Sequence, residues 1–352
     1  MPAFHARDVQ AFGEAIFQAY GVPEADGFLV SRELLRTHLM GYESHGVVRF
    51  VEYFADIQSQ RVVPGSPIQV TQESDATAVV DCGFNLGIVS AYAALEIAIA
   101  KVRTSGLAMI VTKRCNHTGR LGAYPEEAAR RGFLCVAGAA IPSRGHFVVP
   151  WGGTEGRLGT NPIAYAVPTD SDPVLGDFAT SVLPEGRVRA ARNKGAALPA
   201  GAILDADGKE TQDPNAFYGP PMGKLLPFGG PVGYKGYALS LLVELLGGTL
   251  AGETPTGADR PVNSMWLIVI DPDRFLPQGR YESLASEVGD YMRSTRAAAA
   301  AGPVRVPGDA AFARLRAAGN DPTIELDAET WRQLKEAGRQ MGITGQPKEF
   351  GG

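Results

Sequence analysis

Apolar residues recur at helical spacing through the first sixty positions of the chain. Val9 and Phe12 belong to one such set, and residues 29–39 contain a second. Side chains three and four positions apart share one face of a helix, so the pattern predicts two amphipathic helices. Gly41 interrupts the second pattern, and we predict a short helix that resumes near His45.

Short apolar runs alternate with helical patterns in the middle of the chain. The predicted strands are residues 68–70, 78–80, 107–111, 133–141, 163–167, 173–175 and 265–270. The predicted helices are residues 88–103, 126–131, 237–249, 282–296 and 327–341. Residues 186–236 are rich in glycine and proline and are predicted to be mostly loop. This order predicts an α/β middle with mainly helical ends.

The composition argues against several classes of function. Of the 352 residues, 45% are hydrophobic, and the formal net charge is −5. No basic run with interleaved aromatic residues is present, so no nucleic-acid partner is expected. No apolar run reaches the ~20 residues of a membrane helix and no signal-peptide pattern begins the sequence, so no membrane association is expected. Three scattered cysteines favour a reducing compartment, and we expect the cytoplasm.

Several sequence motifs of known chemistry are missing. No two of the 43 glycines are spaced G-x-G, so a standard Rossmann phosphate turn is not expected. The sequence has neither a P-loop nor the G-x-S-x-G motif of α/β-hydrolases. Cys115 and His117 lie two residues apart, but no second cysteine or histidine pair accompanies them. We therefore expect no metal site.

The segment GYESHGVVRF, residues 41–50, carries the first candidate for chemistry. If a helix begins near His45, Arg49 lies one turn further along the same face. An imidazole exchanges protons near neutrality, and a guanidinium fits a carboxylate. The pair is suited to a 2-hydroxy acid. The spacing alone is equally typical of a helix capped by Ser44 with a surface arginine.

Other polar segments lie at the ends of predicted strands or before a helix. His117 follows the strand at 107–111, at a position where α/β proteins bind ligands, although a glycine-rich turn explains it too. Asp177 and the hydroxyl residues after it are compatible with a ribose or phosphate pocket. Lys235 lies in a glycine-rich loop that leads into a helix, which is typical of phosphate sites. Each of these segments is also compatible with an ordinary turn or junction.

Seven segments taken together resemble the type-2 malate/L-lactate dehydrogenase family, which includes ureidoglycolate and sulfolactate dehydrogenases and diketogulonate reductase. The matching stretches, in chain order, are SHGVVR, NHTGRLG, LGTNPIAYAVP, DFATS, LPAGAILDADGKETQDP, PFGGPVGYKGYALSLLVELLGGTLAG and VRVPGD. The resemblance implies a non-Rossmann nicotinamide-binding α/β domain with a largely antiparallel sheet and a helical domain from both chain ends. It divides the chain into residues 1–70, 71–310 and 311–352, and it implies a homodimer.

The resemblance also implies roles for individual residues. His45 matches the proton donor and acceptor, and Arg49 matches the residue that binds the substrate carboxylate. His117 matches a second histidine that some members use as the acid/base, so either histidine can have that role. Ser44 and Thr160 would line the pocket. The residues that would contact NAD or NADP are Asp177, Phe178, Ala179, Thr180, Tyr234, Lys235, Pro307, Gly308 and Asp309.

The predicted activity is hydride transfer between NAD(P)(H) and C2 of a small 2-hydroxy or 2-oxo carboxylic acid. One alternative is reduction of a cyclic or N-alkyl 2-imino acid. Another is a non-catalytic protein that binds a dinucleotide or an acid. The family usually has an aromatic residue after the second histidine, where this chain has Thr118. This departure concerns the pocket wall, and it leaves the substrate open.

Overall fold

This computed structural model describes residues 2–141, 146–254, 262–298 and 302–349, and most of its helices lie where the apolar periodicity predicts them. The helices are α1 (Ala6–Ala19), α2 (Glu24–Leu39), α3 (Arg49–Gln58), α4 (Gly87–Ser105), α5 (Ala123–Arg130), α6 (Glu185–Lys194), α7 (Tyr234–Glu244), α8 (Arg280–Arg293), α9 (Asp309–Ala318) and α10 (Ala328–Gln340). A π-helical turn, Leu245–Thr249, continues α7. None of the helices in the described ranges is both long and apolar enough to span a bilayer.

The strands form one large sheet and two small ones. The strands are β1 (Ala3–His5), β2 (Gln69–Glu73), β3 (Thr77–Asp81), β4 (Leu107–Lys113), β5 (Leu134–Ala140), β6 (Ile163–Val167), β7 (Val174–Phe178), β8 (Ile203–Leu204), β9 (Glu210–Thr211), β10 (Lys224–Leu225), β11 (Ser264–Ile270) and β12 (Thr323–Glu325). The large sheet has the order β2-β3-β4-β11-β5-β6-β7. Only β3 and β4, joined by the crossover helix α4, are parallel, and the other neighbouring pairs are antiparallel.

The central strand β11 is apolar from Met265 to Ile270 because helices cover both faces of the sheet. Met265, Leu267 and Val269 belong to the core under α4 and α5. Trp266 points to the other face, where its indole nitrogen donates to the carbonyl of Val243 in α7. This alternation is the two-residue period of a strand, and the predicted α/β fold is confirmed.

The two chain ends pack together. Strand β1 pairs with β12, and the ring of Phe4 lies 4.4 Å from that of Trp331 in α10. Phe12 of α1 contacts the same indole edge-on, with the centroids 6.1 Å apart. Buried side chains of α1, α2 and α3 complete this core. Helix α3, which follows the candidate residue His45, therefore packs against segments from both ends of the chain.

The prediction that residues 186–236 are mostly loop was wrong in part. The segment contains α6, a small sheet of β8, β9 and β10, and a core that includes Val188, Phe217 and Leu225. Helix α6 escaped the periodicity search because Val188 is its one large apolar residue. Its surface is instead charged, with an ion pair between Arg189 and Glu185 one turn apart. The helix α9 and the short strands β1 and β12 were likewise not predicted.

Candidate active site

The predicted short helix after Gly41 is present as α3, but its predicted start near His45 was wrong. Residues Glu43–His45 form a single 3₁₀ turn, Gly46 takes a conformation that is neither helical nor extended (φ −95°, ψ −139°), and α3 begins only at Arg49. Arg49 nevertheless folds back onto the turn, because its Nε donates to the carbonyl oxygen of Ser44 over 2.8 Å. The Ser44 side chain does not cap a helix; its Oγ lies 3.0 Å from Nδ1 of His45. The histidine and the arginine are therefore neighbours, by a different geometry from the one predicted.

His117 lies on the loop after β4, and the fold brings it against His45. The two imidazole rings are stacked with centroids 5.6 Å apart and planes inclined by 27°. The amide of Asn116 donates to the carbonyl of Phe84, which anchors the loop. Helix α4 starts so close that a Cβ on Gly87 would collide with the carbonyl oxygens of Asn116 and His117. The position of His117 is therefore set by tight backbone packing.

Both imidazoles lie in surroundings that disfavour a positive charge. Burial, together with the charges of Arg49 and Arg120, lowers the pKa of His45 to about 4. Burial, Arg49 and the neighbouring His45 lower the pKa of His117 as well. At neutral pH both rings are uncharged in this structure, and each can accept a proton or donate a hydrogen bond.

Helix α6 closes one side of the site. A Cβ on Gly186 would lie 2.9 Å from Cβ of Ser44, so the first turn of α6 packs directly on the turn that carries Ser44 and His45. Glu185 accepts a hydrogen bond of 2.7 Å from the Tyr218 hydroxyl. Burial alone would raise the pKa of the Glu185 carboxyl, but hydrogen bonds from Arg189 and Tyr218 outweigh burial and lower this pKa. The positive charge of Arg49 lowers it further. The missed helix is thus part of the site.

A buried arginine lies behind His45. Arg120 is 4% exposed, and its Nη2 pairs with Glu126 Oε2 over 2.8 Å. Its Nε and Nη1 have no hydrogen-bond partner among the described residues. A Cβ on Gly122 would lie 2.8 Å from Oδ2 of Asp177 and 3.0 Å from Nη1 of Arg120. Arg120 therefore has two buried nitrogens without acceptors beside the carboxyl group of Asp177. Buried donors of this kind normally bind a polar ligand or a water molecule.

The residues predicted to contact the cofactor lie around strand β7. Asp177 accepts from the backbone N–H of Gly122 over 2.8 Å, and burial raises the pKa of its carboxyl. Phe178 and Ala179 come next along the chain, and the Phe178 ring is 43% exposed. The hydroxyl of Thr180 donates to the carbonyl of Thr160 over 3.0 Å. Thr160 is thereby placed beside the predicted cofactor segment.

Two further segments adjoin this strand. The carbonyl of Thr180 accepts from the backbone of Phe228, in the loop that leads into α7, where Tyr234 and Lys235 are exposed. The carbonyl of Pro307 accepts from the backbone of Leu175 over 3.0 Å, which places residues 307–309 beside β7. Asp309 is paired with Arg293. Residues 307–309 therefore lie beside β7, and the loop that precedes Tyr234 and Lys235 lies beside Thr180, just after this strand.

Comparison with known proteins matches residues 4–335 to the family described as malate/L-lactate dehydrogenase. The chain belongs to this family. It is 32% identical to L-sulfolactate dehydrogenase of Methanothermobacter thermautotrophicus, covering 95% of this chain and 96% of that protein. Malate dehydrogenase of Pyrococcus horikoshii is also 32% identical, with 92% and 91% covered. A solved structure of a putative malate/lactate dehydrogenase from E. coli superposes with a TM-score of 0.90 at 28% identity, covering 97% and 96%.

Membership in the malate/L-lactate dehydrogenase family makes the chain an oxidoreductase, a 2-hydroxy acid dehydrogenase. This confirms the class of activity predicted from the sequence. The seven ordered motifs were the signal that identified the family.

Two residues of the site escaped the sequence reasoning. Tyr53 lies on the buried stripe of α3 with Phe50 and Phe54, and its hydroxyl reaches Nδ1 of His117. The signal was available, because a tyrosine on an apolar stripe needs a partner for its hydroxyl. Arg120 gave no such signal, since an arginine between two glycines is typical of an exposed turn.

Proposed function

We propose that this dehydrogenase transfers a hydride between a nicotinamide cofactor and C2 of a small 2-hydroxy or 2-oxo acid at the His45–His117 pair. The observation that supports this most is the stacking of two uncharged imidazoles beside the guanidinium of Arg49. The cofactor supplies or accepts the hydride. The imidazoles handle the proton on the C2 oxygen, which is the classical task of a histidine near neutrality.

Arg49 would bind the substrate carboxylate. Its Nε is committed to the carbonyl of Ser44 and its Nη1 to Glu52, which fixes the plane of the guanidinium. A fixed, positively charged plane next to the two imidazoles orients an acid so that its C2 oxygen faces them. Ser44 holds the His45 ring through the contact between Oγ and Nδ1.

The residues around β7 fit a nicotinamide dinucleotide. The N-terminus of α7, with the exposed Lys235, suits a phosphate group, and the exposed ring of Phe178 offers an apolar face. The open donors of Arg120 and the carboxyl of Asp177 match the oxygen and amino group of a carboxamide. Asp177 to Thr180, Tyr234, Lys235 and Pro307 to Asp309 would therefore hold NAD or NADP without a Rossmann turn.

We further propose the division into residues 1–70, 71–310 and 311–352, with the catalytic loop in the first segment and the cofactor in the second. A homodimer is proposed as well. It is supported by four exposed leucines on α7 and the turns after it, Leu241, Leu242, Leu245 and Leu250. Such exposed apolar side chains mark surfaces that contact other proteins. Light scattering on the purified chain tests this directly.

The substrate is tested by an oxidation assay with NADH and with NADPH against a panel of acids. The panel contains pyruvate, oxaloacetate and sulfopyruvate, since the relatives above are named for malate and sulfolactate. It also contains Δ1-piperideine-2-carboxylate for the imino-acid alternative. We expect turnover with at least one 2-oxo acid. Turnover with the imino acid alone favours that alternative, and cofactor binding without any turnover favours the non-catalytic one.

A further inference from the structure

The hydroxyl of Tyr53 makes a specific contact with His117. Tyr53 is 3% exposed, and its oxygen lies 2.8 Å from Nδ1 of the imidazole and 3.4 Å from the carbonyl oxygen of the same residue. The shorter contact is the stronger one. A hydroxyl can donate or accept, so this distance alone does not say which nitrogen of the ring carries the proton.

A second contact decides the direction. The backbone N–H of Gly119 points at the same Nδ1 over 3.3 Å. A backbone N–H can only donate, so Nδ1 must present its lone pair rather than a proton. The hydroxyl of Tyr53 then also donates to Nδ1. The proton of the neutral ring consequently lies on Nε2.

We propose that Tyr53 is a positioning residue that, with the Gly119 N–H, holds His117 in the Nε2–H tautomer, so that His117 gives a hydrogen bond to the substrate oxygen while His45 exchanges the proton. This rests on the function proposed above. A proton on Nδ1 of His117 is disfavoured by both contacts together, because the short hydrogen bond from Tyr53 would be lost and the more distant Gly119 N–H would face another N–H.

His45 has the opposite arrangement. Its Nδ1 contacts the Oγ of Ser44 over 3.0 Å, and that hydroxyl can rotate. The Ser44 oxygen accepts from the Nδ1–H of His45 in the neutral ring and in the protonated ring, so Nε2 of the neutral ring keeps a free lone pair that can take a proton.

The proton and electron balance follows from this arrangement. In the oxidation direction the O–H bond of the substrate breaks and its proton goes to the lone pair on Nε2 of His45. The C2–H bond breaks with its electron pair, which leaves as hydride to the oxidised nicotinamide, and the C2=O bond forms. His117 keeps its Nε2 proton throughout and stabilises the negative charge that develops on the oxygen.

The direct test is nitrogen NMR on the full chain labelled with ¹⁵N-histidine, without ligand, near neutral pH. We expect His117 to show an unprotonated Nδ1 and a protonated Nε2. In Tyr53→Phe the longer Gly119 contact remains alone, so we expect a mixture of tautomers. Tyr20→Phe is the matched control, because the Tyr20 ring stacks on Phe54, the neighbour of Tyr53 in α3. This variant should leave the spectrum unchanged. A protonated Nδ1 in the wild type, or an unchanged tautomer in Tyr53→Phe, overturns the proposal.

Kinetics add a second readout. Tyr53→Phe should lower kcat about twofold to tenfold with KM within about twofold, since only the part of the His117 population that keeps the Nε2–H tautomer still donates to the developing charge, while carboxylate binding remains. His117→Gln keeps an N–H donor and should retain more kcat than His45→Gln, and the reverse order contradicts the assignment. Because the spectra need no turnover, the expected tautomers in a chain that reduces no 2-oxo acid would disprove the proposed function and leave the tautomer inference standing.

Discussion

The low pKa of His45 predicts how the stability of the fold depends on acid. In the folded protein the pKa of this ring is about 4, because of burial and two neighbouring arginines. In the unfolded chain it returns to about 6.5. The unfolded state therefore binds the proton first as the pH falls. The stabilisation is complete above about pH 6.5, and it is lost as the pH falls from there towards 4.

The size of the effect follows from the two pKa values. Between neutral pH and pH 5, the titration of this one ring raises the equilibrium constant for unfolding by a factor of about 30, which lowers the free energy of unfolding by about 2 kcal/mol. Urea unfolding of the wild type and of His45→Gln at pH 7.5 and pH 5 measures it. The wild type should lose about 2 kcal/mol more than the variant between the two pH values.

The matched control is His5→Gln. His5 lies near the chain ends beside Asp321, away from the two arginines that act on His45, so the acid-dependent loss caused by His45 should remain in this variant. If wild type and His45→Gln lose the same free energy between pH 7.5 and pH 5, the His45 ring does not lie in the surroundings described here, and the reasoning fails.

Three further perturbations test the site. Arg49→Lys keeps the charge but loses the planar fork, so KM for the acid should rise about tenfold or more in steady-state assays; an unchanged KM contradicts carboxylate binding at Arg49. Glu126 is buried against Arg36 and Arg120, and although burial opposes it, these partners lower its pKa to about 2. Glu126→Gln should therefore lower the free energy of unfolding by about 3–5 kcal/mol near pH 7, measured with urea. The difference between wild type and variant should shrink as the pH falls from the ordinary carboxyl pKa towards about 2, because the unfolded chain takes up the proton first. A difference near zero at pH 7 refutes the contacts of Glu126 with the two arginines. Gly87→Ala should cost about 1–3 kcal/mol and lower kcat, because the new Cβ displaces the loop that carries His117; full activity with full stability excludes that packing.

The fold could be predicted where burial leaves a simple pattern. Strand β6 was predicted at the residues it occupies, and β11 to within one residue, because strands covered on both sides are continuously apolar. Helix α6 could not be predicted, since it presents a single large apolar side chain and is stabilised by contacts distant in sequence. Periodicity reports only which face of an element is buried.

The site could be predicted as a set of residues but not as a geometry. The ordered motifs selected His45, Arg49 and His117, and the structure brings these three together. The arrangement by which Arg49 reaches Ser44 depends on the conformation at Gly46, which no periodicity reveals. Tyr53 becomes a neighbour of His117 only through the packing of α3 against the loop after β4. These are tertiary contacts, so local sequence patterns do not report them.

The central claim is hydride transfer to C2, and an isotope measurement tests it most directly. The reduced nicotinamide carrying two deuterium atoms at C4 is incubated with the enzyme and the best 2-oxo acid of the panel, and the product is analysed by NMR and mass spectrometry. We expect a 2-hydroxy acid with one deuterium at C2. A 2-hydroxy acid without deuterium at C2 would contradict the account.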